Sequence, residues 1–429
     1  MMITTHEINR QEDIEVVAGV LRERREADAD VTRDVAEILD AVESGGDAAL
    51  VELTWRLDGV RLEGGSLESS TESREEALRG LDASARDALE EAAARIKAFA
   101  EKGLKSDWSY SPAPGVTVGT VGRPLETVGL YIPGGRYPYP STVLMTGFPA
   151  RAAGVRNLVL CTPPGSDGSV HPATLAAAAM LGDCRVFKVG GAQAIAAMAY
   201  GTESVPRCDM IAGPGNVYVA TAKRLVRDRV TVDLEAGPSE VVIYADACAV
   251  PAYAAADLLA QLEHDPLALA VVVSEDMAVL ESVRDALGRQ DAAPDGDVNM
   301  VLSSERALSI ALVNAIAPEH LELMVEDAAT MLPEVRSAGC VFLGPYSAVA
   351  MGDYIAGPSH VLPTGGTASR LSGLRAADFI RTMNVVSYTR EGLEGDAAVA
   401  RALASLEGLS SHARSVEIRN PGPATELEV

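Results

Sequence analysis

Gln261-Leu262-Glu263-His264-Asp265 closes an Ala- and Leu-rich run, Ala252 to Leu262, that reads as a helix. Gln261 and His264 stand three residues apart, so on a helix both side chains share one face and can hold one small object between them. A neutral imidazole nitrogen is the commonest protein metal ligand, and an amide oxygen is a usable one. The alternative is a helix end whose His and Asp cap it and face water. Four of the six histidines, His264, His320, His360 and His412, lie beside carboxylates or in Gly/Pro-punctuated turns, the pattern of a metal or acid–base site. Glu319-His320 sets a carboxylate directly against an imidazole. Aimed into one cleft, such a pair supplies two bases for successive proton removals; left in a solvated loop, it does nothing. His171 reads as a helix-start residue and His6 as surface.

The elements that must carry these residues fall into four stretches. Residues 1 to about 105 read as helices: an apolar stripe Val35, Ile38, Leu39, Val42 interrupted at Gly45-Gly46, a capping-box pattern at Ser73 to Glu76, and a second stripe Leu89, Ala93, Ile96, Ala100. Ser111 to Arg123 is rich in Pro and Gly and marks a boundary. Beyond it, short apolar runs at 128–132, 157–161, 185–189 and 209–212 alternate with helical runs. A second alternation begins after Gly237-Pro238, with strands at 240–245, 269–274, near Met300, at 321–325 and at 340–343. The pattern is that of an α/β protein built from two consecutive parallel-sheet units. The expected divisions are 1–120 (helical), 121–236 (first α/β domain), 237–381 (second α/β domain) and 382–429, a tail too small to hold its own core. Turns at Pro133-Gly134-Gly135, Gly190-Gly191-Ala192-Gln193 and Gly213-Pro214-Gly215-Asn216 join strand ends to helices, where backbone N–H groups can meet an anionic ligand. Neither GxGxxG after a strand nor GxxxxGK[ST] is present; each turn alone reads as a tight turn, and the three together are compatible with a nucleotide site without identifying it.

The 429-residue chain is 48% hydrophobic, with 36 basic against 61 acidic residues and a net charge of −25. That surface repels phosphate backbones and argues against nucleic acid as a partner. Only five lysines occur (Lys97, Lys102, Lys105, Lys188 and Lys223), a composition suited to a halophilic protein kept soluble in concentrated salt. The five cysteines form no CxxC pair and read as reduced, buried residues. With no apolar signal segment and no run of membrane-spanning length, the expectation is a cytoplasmic protein without a membrane partner.

Ten stretches in order carry a resemblance. They are Tyr131-Ile132-Pro133-Gly134-Gly135, Tyr139-Pro140-Ser141-Thr142-Val143-Leu144-Met145, Gly190 to Ala196, Ala212-Gly213-Pro214-Gly215-Asn216, Ala236-Gly237-Pro238-Ser239-Glu240, Ala260 to Asp265, Ala317-Pro318-Glu319-His320-Leu321, Gly352-Asp353-Tyr354, His360 to Thr364 and Glu407 to His412. Together they resemble the histidinol dehydrogenase family. The resemblance implies two related Rossmann-like, aldehyde-dehydrogenase-like domains, a helical N-terminal region and a small C-terminal tail exchanged in a homodimer. It implies one zinc per subunit held by Gln261, His264, Asp353 and His412, and oxidation of L-histidinol to L-histidine through L-histidinaldehyde with two NAD. His320 then corresponds to the base for the alcohol proton and for the second oxidation, and Glu319 to the group that activates water. Ser239, His360 and Glu407 correspond to substrate-contacting positions, alongside the metal ligands and His320. Tyr131, Gln193 and Asn216 correspond to NAD-contacting positions, and Glu407 and His412 to residues that complete the neighbouring subunit's site.

Three other readings compete. Another metal- and NAD-dependent alcohol or aldehyde dehydrogenase of this fold is the nearest, although no cysteine has the electropositive setting of an aldehyde dehydrogenase nucleophile. A metal hydrolase leaves the Gly turns unused. A catalytically silent metal-binding relative would have lost Glu319 or His320, and both are present.

Overall fold

Runs of β-branched and aliphatic residues, bounded by glycine turns and alternating with Ala-rich helices, form the strands of this chain. A computed structural model describes residues 2–22, 29–62, 66–134, 137–234, 237–290 and 295–420, without the side chains of Ala29 and His264. The strands are β1 (Met2–Ile8), β2 (Glu68–Ser69), β3 (Trp108–Ala113), β4 (Val116–Pro124), β5 (Thr127–Tyr131), β6 (Asn157–Thr162), β7 (Cys184–Lys188), β8 (Met210–Ala212), β9 (Thr231–Val232), β10 (Glu240–Ala245), β11 (Leu269–Ser274), β12 (Asp297–Ser303), β13 (His320–Met324), β14 (Cys340–Leu343) and β15 (Ile380–Tyr388).

Two units emerge. Met1–Gly103 with Leu125–Phe379 holds two six-stranded sheets, and Leu104–Pro124 with Ile380–Val429 is the second unit. The first sheet runs β2-β7-β6-β5-β8-β9 and the second β1-β12-β11-β10-β13-β14. Apart from antiparallel β2, every neighbour pair in them is parallel. Each sheet is thus a five-stranded array in the order third, second, first, fourth, fifth, with one N-terminal strand added at the edge beside the third. This is the doubly wound order, whose reversal point lies between first and fourth strands, here β5/β8 and β10/β13. Helices cover both faces, so the central strands are buried and mostly apolar; every residue of β10 and β11 is buried.

The N-terminal region departs from the all-helical expectation. Met2–Ile8 pairs in parallel with β12, nearly three hundred residues away, and only Ile8 is buried. An edge strand of that kind carries little apolar alternation to read. The helix Ala29–Leu53 does break where expected: Gly46 has φ 54°, and a Cβ there would sit 2.3 Å from Glu203 Oε2. The next helix begins earlier than the capping pattern suggested, at Thr71, because Ser70 Oγ accepts the Ser73 N–H at 3.1 Å. Cys161, Cys184 and Cys208 are buried as expected, whereas Cys248 is exposed.

In the second unit, the passage read as a Pro/Gly boundary is sheet. β4 is the middle of an antiparallel β15-β4-β3 array. Its glycines hide a strand pattern of Val116, Val118 and Val121, and Gly119 is required because a Cβ would lie 2.3 Å from Trp108 O. The helices Arg390–Leu406 and Ser410–Glu417 complete this unit. No helix among the described residues is long and apolar enough to cross a membrane.

Candidate functional site

Glu319 and His320 stand where a helix turns into β13. The helix Arg306–Ile316 ends at Ala317, whose φ of 49° makes it the one non-glycine with positive φ among the described residues. That conformation costs roughly 1–2 kcal/mol for an L residue, and it swings the chain directly onto the strand. β10 lies beside β13, with Val241 in register with His320. The two strand starts are locked reciprocally: the Glu240 N–H donates to Glu319 Oε2 at 2.8 Å, and the Glu319 N–H donates to Glu240 Oε2 at 3.3 Å. Glu240 is 1% exposed, and its Oε1 also accepts the Gly365 N–H at 2.7 Å.

The same strand fixes the imidazole tautomer. His320 Nδ1 lies 3.0 Å from Glu240 O, which can only accept, so Nδ1 carries the proton. Nε2 then presents a lone pair. It is buried, has no hydrogen-bond partner among the described residues, and lies 3.6 Å from Asp353 Oδ1. Burial alone lowers the pKa of this ring, but the charges of Glu319 and Asp353 outweigh it and the pKa is raised. A cation bound at Asp353 would offset one of those charges and favour the neutral, basic ring. Two residues along β13, Glu322 is buried against Asp257 of the Pro251–His264 helix. Burial and the Asp257 charge push its carboxyl up to about 9, so it is a neutral acid near pH 7. Its Oε1 accepts the Val349 N–H at 3.1 Å, at the start of the helix Val349–Tyr354 that carries Asp353.

Gln261 projects from the last turn of the Pro251–His264 helix and is 4% exposed. His264 is the final residue of that helix; its side chain lies outside the described structure. His360 spans two elements: Nδ1–H donates to Asp353 O at 3.0 Å, which leaves Nε2 to accept from Thr142 Oγ1 at 3.0 Å. Ser239, Gln261, Glu319, His320, Asp353 and His360 line one cleft of about 350 Å³, whose opposite wall is Pro133 and the Pro214–Val217 turn. Among the described residues no group of three or more His, Cys, Asp or Glu forms a metal cluster. Gln261 and Asp353, with a histidine as the next helical residue on the Gln261 face, are nevertheless a donor set of oxygens and nitrogens that suits zinc.

On that opposite wall, Asn216 caps the helix Val217–Leu225: its Oδ1 accepts the Tyr218 and Val219 N–H groups at 3.1 and 3.2 Å. Tyr131 and Gln193 do not line this cleft. The Tyr131 hydroxyl accepts the Gly191 N–H at 3.1 Å, and burial pushes its pKa up to about 12. Gln193, also buried, donates to Asp58 Oδ2 at 3.4 Å, and burial raises that carboxyl.

Glu407 and His412 belong to the second unit. Glu407 ends the helix Arg390–Leu406, His412 lies in Ser410–Glu417, and both are exposed. Three contributors went unassigned in the sequence: Glu240, Glu322 and Thr142. Glu240 and Glu322 carried a usable signal, because a carboxylate inside an apolar strand run is buried with a partner or not at all. Thr142 carried none.

The sequence pattern described as histidinol dehydrogenase matches residues 21–420. The histidinol dehydrogenase of Methanothermobacter thermautotrophicus is 46% identical over 410 residues, covering 93% of this chain and 96% of that protein. That of Syntrophotalea carbinolica is 45% identical over 399 residues, covering 91% and 92%. A crystal structure of histidinol dehydrogenase from Elizabethkingia anophelis superposes with a TM-score of 0.91 at 32% identity, covering 97% of each chain. With the pattern spanning nearly the whole chain, and Glu319-His320 at the amino end of a buried strand within it, this chain belongs to the histidinol dehydrogenase family.

Proposed function

We propose that the enzyme oxidises L-histidinol to L-histidine through L-histidinaldehyde, with two NAD, as the last steps of histidine biosynthesis. The observation that carries the reading is the Glu319–His320 pair, whose two functional groups are held by one residue, Glu240, at a single cleft. Gln261, His264 and Asp353 would hold zinc, together with His412 from a second copy of the chain. Zinc held there would supply positive charge that orients the substrate, and NAD would supply the hydride acceptor.

His320 Nε2, its tautomer set by Glu240 O, takes the hydroxyl proton as the carbinol C–H pair departs and the C=O bond forms. Glu319 then removes a proton from water as its oxygen adds to the aldehyde carbon, and the proton held on His320 passes to the aldehyde oxygen, which gives the diol and returns His320 to the neutral base. His320 takes a hydroxyl proton from that diol as the second hydride leaves for the second NAD, which yields the acid and, with loss of its proton, the carboxylate. Burial of both groups excludes bulk water, so the water used is the one Glu319 holds. Ser239, His360 and Glu407 contact the substrate in this reading, and Tyr131, Gln193 and Asn216 serve NAD. Residues 121–236 are then the NAD side, and 237–381 the metal and catalytic side.

A homodimer with exchanged tails is supported by the second unit. Trp108, Tyr110, Val385, Val386, Leu403 and Leu406 are large apolar side chains left exposed there, as on a surface made to be covered. The net charge of −25 supports a requirement for salt, and the free cysteines support a reducing, cytoplasmic setting.

The test is NADH formed per histidinol consumed, in high salt, before and after chelation and with zinc restored. Two NADH per substrate, lost on chelation and regained with zinc, is the expected result. One NADH would remove the second oxidation from the reading, and none from a folded dimer would overturn it.

A further inference from the structure

The acidic chain retains five lysines, and one of them is spent where no solvent reaches it. Lys223, on the Val217–Leu225 helix, is 2% exposed. Its ammonium donates to Asp233 Oδ1, to Gly213 O, and to Leu234 O at 3.4 Å. The other oxygen of Asp233 accepts the Gly213 N–H at 2.7 Å. A buried ion pair repays its desolvation only when every donor and acceptor is used, and here three ammonium hydrogens meet three oxygens. The pair therefore grips one residue, Gly213, by both its N–H and its carbonyl. Gly213 cannot be otherwise: its φ is 122°, and a Cβ would lie 2.0 Å from Tyr131 O. From it runs the Gly213-Pro214-Gly215-Asn216 turn, which opens the helix carrying Lys223 and forms a cleft wall.

We infer that Lys223 and Asp233 are positioning residues for the dinucleotide: they hold the Gly213–Asn216 turn in its binding shape before NAD arrives. This rests on the turn being the NAD wall, as proposed above. Neither residue lines the cleft or touches the Glu319–His320 pair. A turn already ordered spares the ligand that ordering, so losing the grip weakens NAD and leaves histidinol and the chemistry alone.

The test is steady-state kinetics on the dimeric, zinc-loaded Lys223→Met/Asp233→Leu double variant, which removes the pair without stranding one charge. The KM for NAD should rise by about ten-fold or more, with kcat at saturating NAD and the KM for histidinol little changed. Asp233→Asn, which keeps the shape and one acceptor oxygen, should fall between the double variant and the parent. A role confined to stability would lower the melting temperature and leave the KM for NAD in place, and that result would overturn the inference. Hydrogen exchange of the 211–217 backbone in the parent enzyme without NAD gives a readout independent of how the variants fold. A protected Gly213 amide is expected, and exchange at the rate of an open loop would also overturn it. If the parent itself forms no NADH from histidinol, the failure belongs to the proposed reaction instead.

Discussion

The two six-stranded sheets share one strand order but offer the cleft opposite ends. The first presents its carboxyl ends, where β5 runs into Pro133 and β8 into the Gly213–Asn216 turn. The second presents its amino ends, with Ser239 just before β10 and Glu319-His320 at the start of β13. In a parallel α/β array the difference has an electrostatic consequence. At carboxyl ends the next helix begins, and its free N–H groups favour an anion. At amino ends the preceding helix stops, and its free carbonyls favour a cation. The helices Pro251–His264 and Arg306–Ile316 both stop at the second wall. One wall is thus suited to a pyrophosphate, the other to a metal and to a base that gains a proton. A single topology used from both ends yields the two electrostatically different walls of one cleft.

If that division is right, lesions on the two walls separate kinetically. The largest effect is expected from His320→Ala, which removes the Nε2 base: kcat falls by about 10²–10⁴-fold, while the KM for NAD stays close to the parent's in initial-rate assays. A comparable loss in NAD affinity would merge the walls and break the comparison. Glu319→Gln keeps an oxygen for the Glu240 N–H but cannot take a proton from water. In a single-turnover burst with trapping of aldehyde, it should give one NADH per site and stall; two NADH at the parent rate would remove Glu319 from the water step.

Asn216→Ala acts on the other wall. The KM for NAD is expected to rise several-fold with kcat retained, and loss of the cap should cost about 1 kcal/mol of stability, read from denaturant melts. Unchanged NAD saturation curves would take Asn216 out of the dinucleotide site.

The smallest effect on activity is expected from Glu322→Gln, whose readout is stability against pH. Burial beside Asp257 raises the folded carboxyl from the ordinary 4.5 to about 9. Between those values the folded state binds a proton that the unfolded state has released, so stability is full below the ordinary value and declines as pH rises toward the folded one. The slope is at most about 1.4 kcal/mol per pH unit for one group. Gln cannot lose that proton, so the variant's melting temperature should fall less than the parent's between pH 6 and 9. Equal falls would show that Glu322 is already ionised.

Much of this arrangement could be read before any coordinates. β10 and β11 were legible to the residue, because strands buried on both faces are unbroken apolar runs, and the edge strand β14 was legible from its short apolar run Cys340–Leu343 after Gly339. The Glu319-His320 pair was legible because neighbours in sequence remain neighbours in space, whereas the His264 side chain of the Gln261/His264 spacing lies outside the described structure. β1, β3, β4 and β15 were not, since exposed edge and ribbon strands lack that apolar signature.

Local spacing, then, settled which side chains travel together. Which of those groups meet was decided only by register and packing. The reciprocal bond between Glu240 and Glu319 joins residues 79 apart, and β1 finds its partner at the far side of the chain. Asp257 meets Glu322, and Lys223 grips Gly213 through Asp233, only once helix and strand have docked. The opposite use of the two sheets follows for the same reason: a strand's sequence specifies its burial, but which of its ends faces a cleft is set by how one sheet packs against the other.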